Sequence, residues 1–242
     1  MAFSSYQLVQ GILSTIWVLI ALIIGIRIII KARKLDRKDL IAVGLTYICL
    51  SSAWWGVVVQ FFYFLVFGIQ ITDQFYLFIS HVLLPVGLFC WIYAFSLIIM
   101  PFQEKKVLII TLSYVIIWLG VLFLLLVTNL ELVGSINPAN ILDSSHGAVE
   151  RVFVFITLIT FLLSGSYFSI KSMRLDDVQV KWKGLFLFMG WILLTIGALL
   201  DALIEGLSPL LLIITRLILI GSSFLYYFGF FLPGWIKRTL IK

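Results

Sequence analysis

The cations of this chain are confined almost entirely to every second loop between long apolar runs. It has 17 Lys and Arg. Six lie between Arg27 and Lys38, two are Lys105 and Lys106, four lie between Lys171 and Lys183, and three are Lys237, Arg238 and Lys242. Only Arg151 and Arg216 fall elsewhere. A water-soluble fold has no reason to alternate its charge in this way. A membrane protein does, because short loops rich in Lys and Arg resist translocation and stay in the cytoplasm. Composition agrees. The chain is 63% hydrophobic and 12% charged, against about 25% charged in a typical soluble domain. The basic excess belongs to the membrane rim, where each cation attracts anionic lipid by about 1 kcal/mol. It is not a nucleic-acid footprint.

Seven runs are long enough to span a bilayer, which takes about 20 predominantly apolar residues. They are Tyr6–Ile30, Leu40–Phe67, Phe75–Ile99, Val107–Val127, Val152–Ile170, Gly184–Leu203 and Leu210–Leu232. The expected fold is all-α: one polytopic domain over residues 1–242, a bundle of seven transmembrane helices in a cell membrane. The cation pattern puts the N-terminus outside and the C-terminus in the cytoplasm. The first run lacks the basic leading segment of a cleavable signal and is too long for one. Asp73, Glu131, Asp143 and Glu150 then fall in outer loops. Tyr6 and Tyr76 at the outer edge, and Trp235 at the inner edge, suit interfacial anchoring. Cys49 and Cys90 lie inside apolar runs and read as small buried hydrophobes. The longest loop, roughly Thr128 to Glu150, carries Gly134, Pro138 and Gly147 and suits a small external cap. No output domain follows the seventh run, so a signal would pass to a separate cytoplasmic partner.

A faint repeat is present. Ile30-Lys31-Ala32-Arg33-Lys34-Leu35-Asp36 parallels Ile170-Lys171-Ser172-Met173-Arg174-Leu175-Asp176. Phe89-x-Trp91-x-Tyr93 parallels Phe224-x-Tyr226-x-Phe228, and in that alignment His81 matches Arg216. The pattern suggests two parallel three-helix units, 6–99 and 152–232, joined by a fourth helix over 107–127. Parallel repeats of this kind occur in transporters.

Ionisable groups inside a membrane are costly, so they are the default functional candidates. Asp201 and Glu205 are one turn apart on a face that continues through Gly197 and Gly190. Arg216 lies about 9 Å along the seventh run at about 1.5 Å per residue. A short turn at Gly206–Pro209 brings Asp201 to a similar depth, so an Asp201–Arg216 ion pair is expected, with Glu205 as alternate partner. His81 lies one turn before Pro85, which frees a backbone carbonyl and kinks the helix. Gln60 lies near the outer end of the second run, with Trp54 and Trp55 deeper. Runs two, three, six and seven thus bring Gln60, Trp54, Trp55, His81, Asp201, Glu205 and Arg216 into one outer half. That is the make-up of a ligand pocket, apolar with a few polar groups. It is equally the make-up of a bundle held by interhelical hydrogen bonds.

Several chemistries lack their residues. The chain has two histidines, whereas zinc centres usually take three or four protein ligands. There is no GxSxG and no lysine in the seventh run for a retinal Schiff base. The acidic-Arg-Tyr and Asn-Pro-x-x-Tyr motifs of G-protein-coupled receptors are missing, and so is the Pro-Gln motif of the small sugar transporters. No cofactor or enzymatic activity is expected. Trp91-Ile92-Tyr93-Ala94-Phe95, followed after the fourth run by Thr128-Asn129, resembles the prokaryotic seven-helix sensor modules that precede histidine kinases. The resemblance covers about the second to fourth runs, and it implies a membrane-embedded input module. The leading expectation is a receptor-like or sensory protein with a ligand in the outer half. The alternative is a small-solute transporter or channel built on the repeat, and a purely structural subunit is the third reading.

Overall fold

The computed structural model describes residues 3–204 and 208–240. Seven helical stretches in it are long and apolar enough to cross a membrane. The first is α1 (Ser5–Lys34). The second is α2 (Lys38–Ser51), a 3₁₀ turn (Ser52–Trp54) and α3 (Trp55–Phe67). The third is α4 (Asp73–His81) and α5 (Leu84–Ile99). The others are α6 (Glu104–Thr128), α7 (Ala148–Met173), α8 (Val178–Leu203) and α9 (Pro209–Phe231), and a short α10 (Gly234–Leu240) follows. The all-α seven-helix bundle is therefore present, as a multi-pass membrane protein requires. The end carrying the start of α1 is called here the hairpin end, and the opposite one the basic end.

Local chemistry sets the boundaries. Ser4 and Gln7 form a reciprocal capping box on α1, and Asp177 accepts from the backbone N–H groups of Gln179 and Val180 to open α8. α3 stops at Gly68, whose φ of 69° is cheap only without a Cβ. The second crossing breaks at the Ser51–Ser52 pair, where Ser51 Oγ donates to the Ile48 carbonyl. Serine pairs are a recognised cause of kinks. The third crossing breaks at Val82–Leu83, and Pro85 sits in the first turn of α5, where its missing N–H does no harm.

Lipid-facing surface is the default exterior. Along α1 a stripe of Ile12, Ile16, Leu19, Ile23 and Ile26 is exposed, and α6 buries only Val115, Trp118 and Leu122. In water such apolar faces would drive aggregation. In hydrocarbon they need no cover.

α1 packs on α2 and α9, α2 on α5, α7 on α8 and α5, and α8 on α9. α6 packs mainly on α5. Exchanging the first three crossings with the last three preserves the neighbour relations of those six, while α6 packs on α5 with no matching contact of that extent to α9 among the described residues. Burial recurs in the same register. With Arg216 set on His81, every buried residue of α9 falls on a buried residue of α4 or α5. With Gly165 set on Gly25, buried Glu150, Val154, Thr157 and Phe161 fall on buried Gln10, Ser14, Trp17 and Ala21.

The loop after α6 is a β-hairpin, β1 (Gly134–Asn137) with β2 (Asn140–His146), antiparallel. β2 is tied to the bundle through its own backbone. The Leu142 carbonyl accepts from Gln10 Nε2 at 3.1 Å and from the Tyr76 hydroxyl at 3.4 Å, and Asn140 Nδ2 donates to Gln10 Oε1 at 2.8 Å. Tyr76 is therefore not an interfacial anchor: it is 1% exposed beneath the hairpin. Trp235 is exposed, as an anchor would be.

α1 and α2 meet backbone to backbone at two glycines. A Cβ on Gly44 would lie 2.7 Å from the Gly25 carbonyl oxygen, and one on Gly25 would lie 2.8 Å from that of Gly44. Gly44→Leu should cost about 1–3 kcal/mol by overpacking and lower the melting temperature in detergent. Gly120→Ala, which meets nothing within 4 Å, should leave it unchanged or slightly raised.

Candidate functional site

Arg216 is 2% exposed, and no other Lys or Arg among the described residues is buried. Its guanidinium donates from Nη1 to Asp201 Oδ1 at 2.9 Å and from Nε to Ser14 Oγ at 3.1 Å. The second carboxylate oxygen of Asp201 accepts the Trp54 indole N–H at 2.7 Å. The Trp54 ring lies 5.9 Å from the guanidinium carbon, within cation–π range. One network therefore joins α1, the broken second crossing, α8 and α9. The expected Asp201–Arg216 pair is formed. The alternate partner, Glu205, lies outside the described residues.

A cavity of about 80 Å³ opens beside Asp201. Its polar lining is Trp54, Asp201, His146, Thr157, Thr195 and Trp118, and the rest is apolar, including Leu50, Leu84, Phe161 and Leu194. Leu50, Ala53 and Trp54 flank or form the break in the second crossing, and Leu84 follows the break in the third. Irregular backbone at membrane depth is tolerated where it lines a cavity. Toward the basic end of the cavity lies a layer of packed aromatics. The Phe161 ring centroid is 5.6 Å from that of Trp191, Trp91 is 4.7 Å from Trp191, and Tyr226 is 5.5 Å from Trp191 and 4.3 Å from Tyr47. Within this layer Trp191 Nε1 and the Tyr226 hydroxyl are buried without a hydrogen-bond partner among the described residues.

On its other side the cavity meets the hairpin. His81 Nδ1 lies 2.8 Å from the Leu77 carbonyl, so that nitrogen carries a proton. His81 Nε2 lies 3.1 Å from His146 Nδ1, one ring nitrogen donating to the other. Arg151 Nη2 donates to the His146 carbonyl at 2.8 Å. Burial, the adjacent His81 and the adjacent Arg151 push His146 down from its ordinary 6.5 to about 3. Nearby, Glu150 holds the Trp118 indole N–H between both carboxylate oxygens, at 2.9 and 3.0 Å. Glu150 is 2% exposed in the first turn of α7, which corrects its placement in an outer loop.

Of the residues singled out in the sequence, Trp54 and Asp201 line the cavity. His81 stands behind His146, and Arg216 behind Asp201. Gln60 is elsewhere: its Oε1 accepts the Ile71 backbone N–H at 3.0 Å and fastens the loop between the second and third crossings. Trp55 donates to Ser51 Oγ at 3.1 Å and braces the break in the second crossing. The cavity lies among crossings two to six, so the fourth and fifth take the place expected for the seventh. His146, Glu150, Trp118, Thr157 and Thr195 were not singled out. Their only sequence signal is a polar or indole group within or just beside an apolar run. Among the described residues no three His, Cys, Asp or Glu side chains converge as metal ligands would.

No family model matches the chain. A search among curated proteins finds none similar to it at a significant level.

Asp201→Ala should lower unfolding stability in detergent by about 3 kcal/mol, the low end for breaking a buried pair, because the Asp201 side chain is 23% exposed. Arg216→Leu combined with Asp201→Ala should recover much of that loss, which a double-mutant cycle would read.

A second prediction concerns pH. The folded state keeps His146 neutral down to about 3, whereas the unfolded chain protonates it below about 6.5. Its contribution is therefore full above 6.5 and is lost as pH falls toward 3. Between about pH 7 and about pH 5 the wild-type melting temperature should fall more steeply than that of His146→Gln.

Proposed function

We propose that this chain is a receptor-like, multi-pass membrane protein without enzymatic activity that takes a small ligand in the cavity at the hairpin end. The observation that carries this reading is the cavity's construction. It is apolar with a few polar groups, as small-molecule sites are. Both helix breaks flank it, and the aromatic layer lies toward its basic end. A ligand there would bear on the two breaks and on the Asp201–Arg216 contact. Each is a place where two helical segments can change their relative tilt, and so move the basic loops. The resemblance of the second to fourth runs to kinase-linked sensor modules supports the same reading, with a separate cytoplasmic protein as receiver. The retention of cationic loops puts the N-terminus and hairpin outside and the basic loops and C-terminus in the cytoplasm.

Orientation is tested in a background of Cys49→Ser and Cys90→Ser. An impermeant maleimide on intact cells should label Ser135→Cys in the hairpin and spare Lys34→Cys. The reverse pattern would sink the assignment.

The ligand reading is tested by thermal shift on purified protein with small neutral amphiphiles such as indole and phenol. A compound should raise the melting temperature of the wild type and not of Ala198→Trp, which fills the cavity. Equal shifts in both, or none in either, would argue against a ligand site.

A second reading, a small-solute transporter of three plus one plus three helices, is favoured by the matched neighbours and burial registers of the two triplets. It requires the aromatic layer to open. Ser222→Cys, buried beside that layer, would then react with a water-soluble maleimide from either side of a sealed vesicle. In a receptor it stays protected.

A further inference from the structure

A second crevice, of about 350 Å³, opens at the basic end between α1, α7, α8 and α9. Its apolar wall includes Ile28, Phe168, Leu187 and Phe230, and its polar rim is Lys31, Arg37, Lys183 and Ser172. The three cations are not equivalent. Arg37 is neutralised, because its Nε and Nη2 donate to the two oxygens of Asp39 at 2.8 and 2.5 Å. Lys31 is held over the Phe231 ring, its Nζ 4.5 Å from the centroid. Lys183 is partly buried in the crevice wall. The charges that act on Lys183 are those of Lys31, Asp177 and Lys237, two of like sign against one carboxylate. Neither Lys31 nor Lys183 is in an ion pair among the described residues. Two ammonium-bearing side chains thus line one mouth, with a greasy wall beneath.

We infer that this crevice is a binding site for a phosphate-bearing anion, the headgroup of an anionic phospholipid whose glycerol and upper chain lie along the apolar wall. Cationic pockets between transmembrane helices suit such headgroups. Lysine ammonium groups bind phosphate as point charges. An anion at the mouth also removes the repulsion between Lys31 and Lys183. The crevice differs from the diffuse attraction of the basic loops by being concave and specific to two lysines. The proposal requires the seven helices to lie in a bilayer, but does not depend on a ligand in the hairpin-end cavity.

The test is native mass spectrometry of the full chain purified in a neutral detergent, titrated with dioleoylphosphatidylglycerol or dioleoylphosphatidylcholine. The wild type should retain phosphatidylglycerol and not phosphatidylcholine. Lys31→Gln combined with Lys183→Gln should weaken that binding about 30-fold, from about 1 kcal/mol per cation. Lys105→Gln combined with Lys106→Gln should leave it unchanged. Lys31→Arg combined with Lys183→Arg should retain the lipid, and the Gln double variant should melt no lower than the wild type, which separates lost binding from lost folding. Inorganic phosphate that displaces the lipid at millimolar concentration would point to the free anion as occupant, and failure to displace it to the headgroup with its chain. Equal loss in the two Gln double variants, or equal retention of both lipids, would overturn the site and leave only diffuse attraction.

Discussion

A guanidinium buried in an apolar bundle is the constraint around which the rest of this structure is arranged. Arg216 is 2% exposed, and an unpaired charge in such a place costs several kcal/mol. The carboxylate of Asp201, the Ser14 hydroxyl and the Trp54 ring answer it together. Because these partners come from three segments and Arg216 from a fourth, satisfying one charge fixes the relative depth and rotation of α1, the second crossing, α8 and α9. Apolar packing alone does this poorly in a membrane, where lipid tails are as apolar as the helix faces and helices slide with little loss.

The same logic explains why the cavity lies where it does. Two crossings are broken at one level, by a serine pair in one and a proline in the other. A break exposes backbone groups that must face protein or a cavity. The polar lining therefore gathers there, and the aromatic layer below needs no such groups. The hairpin completes the arrangement from the other side. Its β2 backbone satisfies Gln10 and Tyr76, and its last residue meets His81. Buried Val133, Ile141 and Leu142 pack into the same apolar cluster as Tyr76, Leu77 and Trp118, so the cap is held by packing as well as by hydrogen bonds.

The number of crossings and the Asp201–Arg216 pair were legible in the residue order. Each follows from a local property: the length of an apolar run, or two charges brought to one depth by a short turn. Glu150 shows the limit. The polar stretch Asp143–His146 lies a few residues upstream and the apolar run begins only after Arg151, so its position reads as loop. It is nonetheless buried against Trp118, because α7 starts a turn earlier than its hydropathy. Gln60 shows the converse. It reads as a pocket residue and instead ties a loop through the Ile71 N–H.

The sequence by itself determined that the chain is a bundle of seven apolar helices with its cations gathered in alternate loops, because hydropathy and charge act residue by residue and need no knowledge of neighbours. It also determined which charges inside those helices would have to find each other. Only the tertiary structure decided which side chains line the cavity, that the fourth and fifth crossings flank it, and that a β-hairpin roofs it. Those depend on the rotation of each helix about its own axis and on contacts between distant segments such as Gln10 with Leu142 and His81 with His146. Helix rotation is set by the few polar contacts and close glycine approaches between helices, since the apolar surface around each one is nearly uniform and favours no single face.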